Sequence, residues 1–262
     1  MARRRWWELP PAVRGAVEER TGPVRCAEPV ATGAVSELVA VLHTATGAHF
    51  CKGIRSSNPL AWMHRNEARL NPYLPGVAPR LRWVVERGGW LLLGFERVAG
   101  RHPDLAPGSA DLARVAGVLS GLASAPAPAV DVRPAAVRWA GWVDPEVVDG
   151  DTLAHTDVTA RNFLVHAAGV AVVDWSAPCR GAAWIDTALM VVRLVRAGHS
   201  PERAEAWTGS VSAWASAPAG ALDAFAVARA GLLRERHRGS GAPHLGELAD
   251  AAEAWMWHRL PL

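Results

Sequence analysis

Lysine and glutamine are all but missing from this chain of 262 residues. Its 28 basic side chains are 27 arginines and one lysine, Lys52, and there is no glutamine. A GC-rich coding bias produces such a skew, because most solvated positions accept either cation. A site that needs a compact ammonium does not accept a forked guanidinium, so the sole lysine invites a functional question. Cysteine is also scarce. Cys26, Cys51 and Cys179 are an odd number and widely spread. They give neither a disulfide framework nor zinc-ligand spacing, and a reducing, cytoplasmic setting is expected. Charged residues are only 20% of the sequence, against 50% hydrophobic, with a net charge of +3. That balance excludes a disordered chain and a bundle held together by charge pairs.

Long apolar runs are absent too. Residues 115–130 are broken by Gly117, Gly121, Pro126 and Pro128, and residues 206–222 by several serines and Pro218. Neither suits a bilayer span, so no membrane partner is expected. The start turns polar at Glu8 and meets Pro10-Pro11 before any apolar run forms, so no secretion signal is expected. No basic stripe or nucleic-acid module is present, and Arg3-Arg4-Arg5 reads as a solvated end.

Residues 27–100 read mainly as strands. Residues 35–42 and 48–52 form a hairpin about the turn Thr44-Ala45-Thr46-Gly47. A helix is expected from Pro59 to Leu70, ended by Asn71-Pro72. Two further strands, 81–86 and 90–95, are joined by Gly88-Gly89, and another strand is expected before Gly33. Beyond residue 100 the pattern is mostly helical: 110–122, 185–197, 201–215, 219–236 and 245–258. Two short β-capable runs, 163–165 and 170–173, interrupt it. A strand-rich N-terminal part and a helix-rich C-terminal part predict two lobes with a cleft between them, 1–97 and 98–262.

The chemistry concentrates in His155-Thr156-Asp157-Val158-Thr159-Ala160-Arg161-Asn162, followed by a hairpin and Val173-Asp174-Trp175. Asp157 and Asn162 precede the first run and Asp174 ends the second. The turn near Gly169 allows Asp174 to return close to Asn162. Two oxygen ligands and a nearby carboxylate suit a hard cation such as Mg²⁺. The plainer alternative is a helix cap at Asp157 and a turn at Asn162.

These residues resemble the catalytic loop and metal-binding Asp of the protein-kinase-like superfamily, most closely the aminoglycoside phosphotransferase family. That family carries His-Gly-Asp, four residues, Asn, an apolar hairpin and Ile-Asp-Trp. The resemblance implies that Asp157 is the catalytic Asp, Asn162 and Asp174 hold the metal, and His155 is the scaffold histidine. Gly181 and Asp186 fall where the family has a glycine and a structural Asp opening a helix. Lys52 matches the phosphate-binding lysine and Glu67, fifteen residues on, its carboxylate partner; the alternative for Glu67 is a surface helix residue. Gly33 and Ser36 fall in the phosphate-loop region, with one glycine where protein kinases have three. Glu96 to Val98 correspond to the hinge whose backbone binds adenine. Thr156 stands where the family has glycine. Arg161 would touch the acceptor or the transferring group, or be a solvated arginine. The resemblance covers roughly residues 25 to 200.

The fold implied is α+β and protein-kinase-like, with a small strand-rich N-lobe and a larger, mainly helical C-lobe. Only twelve residues separate Asp174 from Asp186 and no Ala-Pro-Glu follows, which leaves no platform for a protein substrate. The expected activity is O-phosphotransfer from ATP, with Mg²⁺, to a hydroxyl of a small molecule, possible acceptors including an antibiotic such as an aminoglycoside. A metabolite kinase acting on choline, homoserine or a sugar is the alternative within the fold. A non-catalytic nucleotide-binding module, or an unrelated α+β binding protein, is the alternative outside that activity. Trp184, Trp207, Trp214, Asp223, Glu235, Trp255 and His258 are candidates for the acceptor pocket, with core the default for most of the tryptophans.

Overall fold

A computed structural model of the chain describes residues 3–31 and 35–260. Two compact units divide it. The first holds the chain as far as Arg101 together with Ala171–Ala177, and the second holds His102–Val170 and the chain from Pro178 onward. The short segment carrying Asp174 thus belongs with the N-terminal unit, not with the segments that flank it in sequence.

The first unit begins with helix α1 (Pro11–Thr21), which the sequence reading did not anticipate. The Pro10-Pro11 pair looks like a break, but proline is well suited to the first helical position, where its missing N–H is no loss. Strands β1 (Cys26–Pro29), β2 (Leu38–Thr44) and β3 (Gly47–Arg55) follow, then helix α2 (Ala61–Leu70) and strands β4 (Leu81–Arg87) and β5 (Trp90–Glu96). The five strands form one antiparallel sheet in the order β1-β2-β3-β5-β4. Gly47, at φ +133°, closes the β2–β3 turn by pairing with Thr44.

Alternation along β3 and β5 gives the sheet two buried faces. Leu38, Leu42, Cys51, Trp83 and Leu92 pack with Trp6, Leu9, Val13 and Val17, the last two from α1. Ile54, Leu91, Leu93 and Phe95 pack with Ala61 and Ala68 of α2 on the other face. Each fully buried aliphatic or aromatic side chain here adds about 1.5–3 kcal/mol. Gly94 lets Trp83 lie flat on β5, since a Cβ there would meet the indole at 1.9 Å.

Helix α2 starts at Ala61, two residues later than Pro59, because Asn58 accepts the Leu60 N–H through Oδ1 and the Ala61 N–H through its carbonyl. Asn71 keeps helical angles (φ −51°, ψ −39°) although proline follows, so the helix tightens into a 3-10 turn and does not stop short of it. Its side chain fixes this corner by donating to Pro79 O at 2.9 Å and accepting from Leu81 N at 2.7 Å.

The second unit contains α3 (Asp111–Ala123), the short helices α4 (Ala135–Arg138) and α5 (Pro145–Val148), and strand β6 (Thr152–Ala154). Strands β7 (Phe163–His166) and β8 (Gly169–Val172) form a hairpin, and β9 (Cys179–Gly181) pairs with β6. Helix α6 (Ile185–Arg196) is buried continuously from Ile185 to Val192 and packs against α3, α7 (Pro201–Thr208) and α9 (Pro243–Arg259). Helix α8 (Ala219–Ser240) forms a helical hairpin with α9 through Gly241, at φ +64°. Ser200 caps α7, which ends at Thr208 and not near 215, where Gly209 and a series of turns follow. No helix among the described residues is long and apolar enough to cross a membrane.

Candidate active site

Two groups of polar side chains stand out, one in each unit. In the first, β3 carries Lys52 to the face of the sheet shared with Leu93 and Phe95, and α2 packs Glu67 over it. Both side chains are buried: Lys52 is 7% exposed and Glu67 3%. The ammonium pairs with Glu67 Oε2 and with Asp174 Oδ1, the latter at 2.9 Å, and lies 5.6 Å from the Phe95 ring centre. Burial pulls the lysine pKa down, but the two carboxylates outweigh it and hold it above the ordinary lysine range. Burial raises Glu67, to about 7, against the opposing pull of Lys52.

Asp174 adopts φ +64°, a left-handed conformation that Asp tolerates better than most residues. Its flanks are tied down. Val172 N donates to Val77 O, Trp175 is fully buried with Nε1 on Val172 O, and Asn66 of α2 holds Ser176 O at 3.1 Å. The Asp174 side chain itself stays 41% exposed. Ser36 is buried, and its hydroxyl meets His64 Nε2 at 3.0 Å. Burial lowers His64 to about 4, and the Lys52 charge adds to the effect.

In the second unit the loop before β7 is pinned from below. Asp186, in the first turn of α6, accepts from His155 N at 2.7 Å and Thr156 N at 2.8 Å. Burial pushes its pKa up while these donors and His155 oppose. Thr156 sits at φ +67°. Glycine adopts that region freely, which is why glycine suits this position in the family pattern. His155 is buried and accepts the Asp157 N–H through Nδ1, so it shapes the loop and does not face outward. Asn162 Nδ2 donates to Asp157 O at 2.8 Å and to Asp157 Oδ2 at 3.1 Å. Its amide oxygen is thereby turned away from Asp157. The Asp157 carboxylate is 58% exposed and lies 3.6 Å from Arg193 Nη2. Arg161, on the 3-10 turn Ala160–Asn162, is exposed.

The structure therefore brings Lys52, Glu67 and Asp174 into contact in one unit, and His155, Asp157 and Asn162 in the other. Gly33 lies outside the described residues. Glu96 shares the sheet face of His49, opposite Lys52; its carboxylate pairs with Arg82, and its N–H donates to Arg80 O. With Val98 it lines a cavity of about 800 Å³ that also includes Thr46, His49 and Trp83. That cavity is on the wrong side of the sheet for a phosphate held by Lys52. Among the acceptor candidates, Trp184 and Trp255 are buried, the former edge-on to Phe225, the latter donating to Glu205. Asp223 is held by Arg259.

Sequence reasoning missed Arg138, Arg193 and Arg229, all partly buried in the second unit. Two of them carry a local signal: Arg193 stands alone in the apolar run Met190-Val191-Val192-Arg193-Leu194-Val195, and Arg229 in Phe225-Ala226-Val227-Ala228-Arg229-Ala230.

Among the described residues no three His, Cys, Asp or Glu side chains gather into a metal cage. Mg²⁺ does not need one, since it is commonly bound by one or two side-chain oxygens plus substrate phosphates. Asp174 in the first unit and Asn162 in the second each carry one hard oxygen donor.

No family profile and no curated protein matches the sequence. Solved structures do match the fold. A thermostable mutant of the aminoglycoside phosphotransferase APH(4)-Ia, in its apo form, is 13% identical with a TM-score of 0.59, covering 95% of this chain and 100% of its own. The same enzyme in ternary complex with AMP-PNP and hygromycin B gives 14% identity and 0.56, covering 92% and 98%. Choline kinase LicA from Streptococcus pneumoniae gives 12% and 0.56, with the same coverage. The chain thus has the α+β, protein-kinase-like fold of these small-molecule phosphotransferases.

Proposed function

We propose that the protein transfers the γ-phosphoryl group of ATP to a hydroxyl of a small molecule. The observation that carries this reading is the state of the only lysine. Lys52 is buried, is held between Glu67 and Asp174, and presents a fixed ammonium beside a carboxylate that remains open to solvent. A point charge so placed suits α- and β-phosphate oxygens, with Glu67 orienting it. The fold of nucleotide-bound phosphotransferases supports the same reading.

In this mechanism Asp157 accepts a hydrogen bond from the acceptor hydroxyl and aims its oxygen at the γ-phosphorus. The new O–P bond forms as the bond to the β-phosphate oxygen breaks, ADP leaves, and Asp157 takes the hydroxyl proton late. Its carboxylate need not be a strong base, because positioning and charge stabilisation dominate a loose transition state. Asn162 holds Asp157 in place by donating from Nδ2 to Asp157 Oδ2, and Asn162 and Asp174 are the residues that would hold Mg²⁺. Bound there, the metal would offset charge on the β- and γ-oxygens. His155 and Asp186 keep the loop in shape. The backbone at Glu96 to Val98 would receive adenine, the segment at Gly33 and Ser36 would cover the phosphates, and Arg161 would reach the acceptor or the transferring group. A small-molecule acceptor agrees with the short distance from Asp174 to Asp186.

The test is phosphate transfer from γ-labelled ATP to a panel of hydroxyl compounds, read as label and mass gain in the acceptor. The wild type should transfer, and Asp157→Ala should lose at least about a hundredfold in kcat while binding ATP normally. Near-wild-type turnover by that variant would contradict the assignment.

A further inference from the structure

The charges around Asp157 bear on the acceptor itself. Arg193 of α6 approaches Asp157 Oδ1 at 3.6 Å. Arg138, closing α4, reaches Thr156 O at 3.5 Å, the carbonyl just before Asp157, and lies over the Trp139 ring. Arg229 and Arg236 are seven residues apart on α8 and so share a helix face. The Nε of Arg229 is sealed from solvent and has no hydrogen-bond partner. Burial lowers its pKa to about 9; Arg193, Arg236 and Arg138 add repulsion, and Asp157 opposes. Asp186, the other acid close to Arg138, is already used by two backbone N–H groups.

Such crowding is unfavourable on its own. A partly buried guanidinium whose Nε has no hydrogen-bond partner and which faces more cations than acids lowers stability, and a structural arginine would normally be better paired. Its fork is shaped for a carboxylate or phosphate. A cationic acceptor would need the reverse, a set of open carboxylates, but most acids on α7, α8 and α9 are engaged, exposed Glu202 and Glu235 being the exceptions. Glu205 and Asp223 bind Arg259, Asp250 and Glu253 bind Arg234, and Glu247 binds Arg196.

We infer that the acceptor is an oxyanion, a hydroxyl compound bearing a carboxylate or phosphate group, which Arg193, Arg229 and Arg236 bind while Asp157 faces its hydroxyl. The inference rests on the phosphotransferase reading above and deepens it by naming the acceptor's charge. It disfavours aminoglycosides and choline, which are cations.

Two measurements test it. The first is thermal melting of the wild type and Arg229→Met at low salt, with and without millimolar sulfate as the anion probe. Without sulfate the variant should melt several degrees higher, because a partly buried charge crowded by other cations, with its Nε unpartnered, is gone; sulfate should raise the wild type and barely move the variant. A variant that melts lower, or equal sulfate shifts in both proteins, overturns the inference. The second is ATP-dependent phosphorylation of size-matched acceptors: a hydroxycarboxylate, a sugar phosphate, a neutral sugar and an aminoglycoside. One of the two anions should be the preferred acceptor, which also tells carboxylate from phosphate. Arg229→Met should raise its KM about tenfold or more with little change in kcat. Preference for the neutral or cationic compound overturns the inference while leaving phosphotransfer intact. Magnesium–ATP affinity unchanged by Lys52→Arg would overturn the phosphotransferase reading, and the acceptor with it, whatever sulfate does.

Discussion

Removing the Lys52 ammonium would leave the Glu67 carboxylate buried among apolar side chains without its cation. Breaking a buried pair in this way typically lowers stability by about 3–5 kcal/mol. Lys52→Met should therefore lower the unfolding free energy from urea titration by an amount in that range, and adding Glu67→Leu should recover most of the loss. Neither variant should bind ATP well. Recovery of stability without recovery of binding would separate the structural part of the pair from its chemical part; a Lys52→Met protein as stable as wild type would contradict the buried pairing. Lys52 was legible in the sequence because it is rare there and lies on a hairpin strand, which continues to Arg55. Asp157, Asn162 and Asp174 were legible because their spacing is local and forms one motif. Arg138 was not, and Arg193 and Arg229 were marked only by standing within apolar runs. When nearly every cation is an arginine, few of them are conspicuous, and the packing of α4, α6 and α8 shows which ones are buried.

At the scale of elements, α2 does the most to shape the first unit's site. One helix supplies Glu67 to Lys52, Asn66 to the Ser176 carbonyl and His64 to Ser36. The His64 contact is pH-sensitive. Its folded pKa is about 4 against an ordinary 6.5, so between those values the unfolded chain binds the proton and the folded chain resists it. The stability due to this difference is fully present above about pH 6.5 and is lost as pH falls toward 4, by up to about 3 kcal/mol. Denaturant midpoints measured from pH 7 to pH 4 should fall accordingly, and His64→Asn should flatten that part of the curve. An unchanged slope in the variant would show that other groups carry the acid sensitivity. The sheet and α2 were legible from strand alternation, the glycine turns and the helix pattern. Helix α1 was not, because Pro10-Pro11 looks like an interruption unless the following residues are known to pack on the sheet through Val13 and Val17. The end of α7 was overestimated because an alanine-rich run keeps its helical character past Gly209, and propensity alone does not show where packing stops.

For the whole molecule, the chain enters the first unit twice: once as the N-terminal sheet, and again as the seven residues Ala171–Ala177. That second visit puts Asp174 beside Lys52, a contact 122 residues apart in sequence. Sequence periodicity does not report such a return; the family resemblance implied it through the Asp-Trp step. The central proposal is that binding of a magnesium nucleotide depends on the Lys52–Glu67–Asp174 group and also on the Asp157–Asn162 loop. Calorimetric titration of Mg²⁺ and AMP-PNP into the wild type, Asp174→Asn and Asn162→Ala tests it most directly. The account predicts one nucleotide per chain for the wild type and a loss of at least about tenfold in affinity for each variant, one from each unit. Nucleotide bound as tightly by both variants as by the wild type would contradict it.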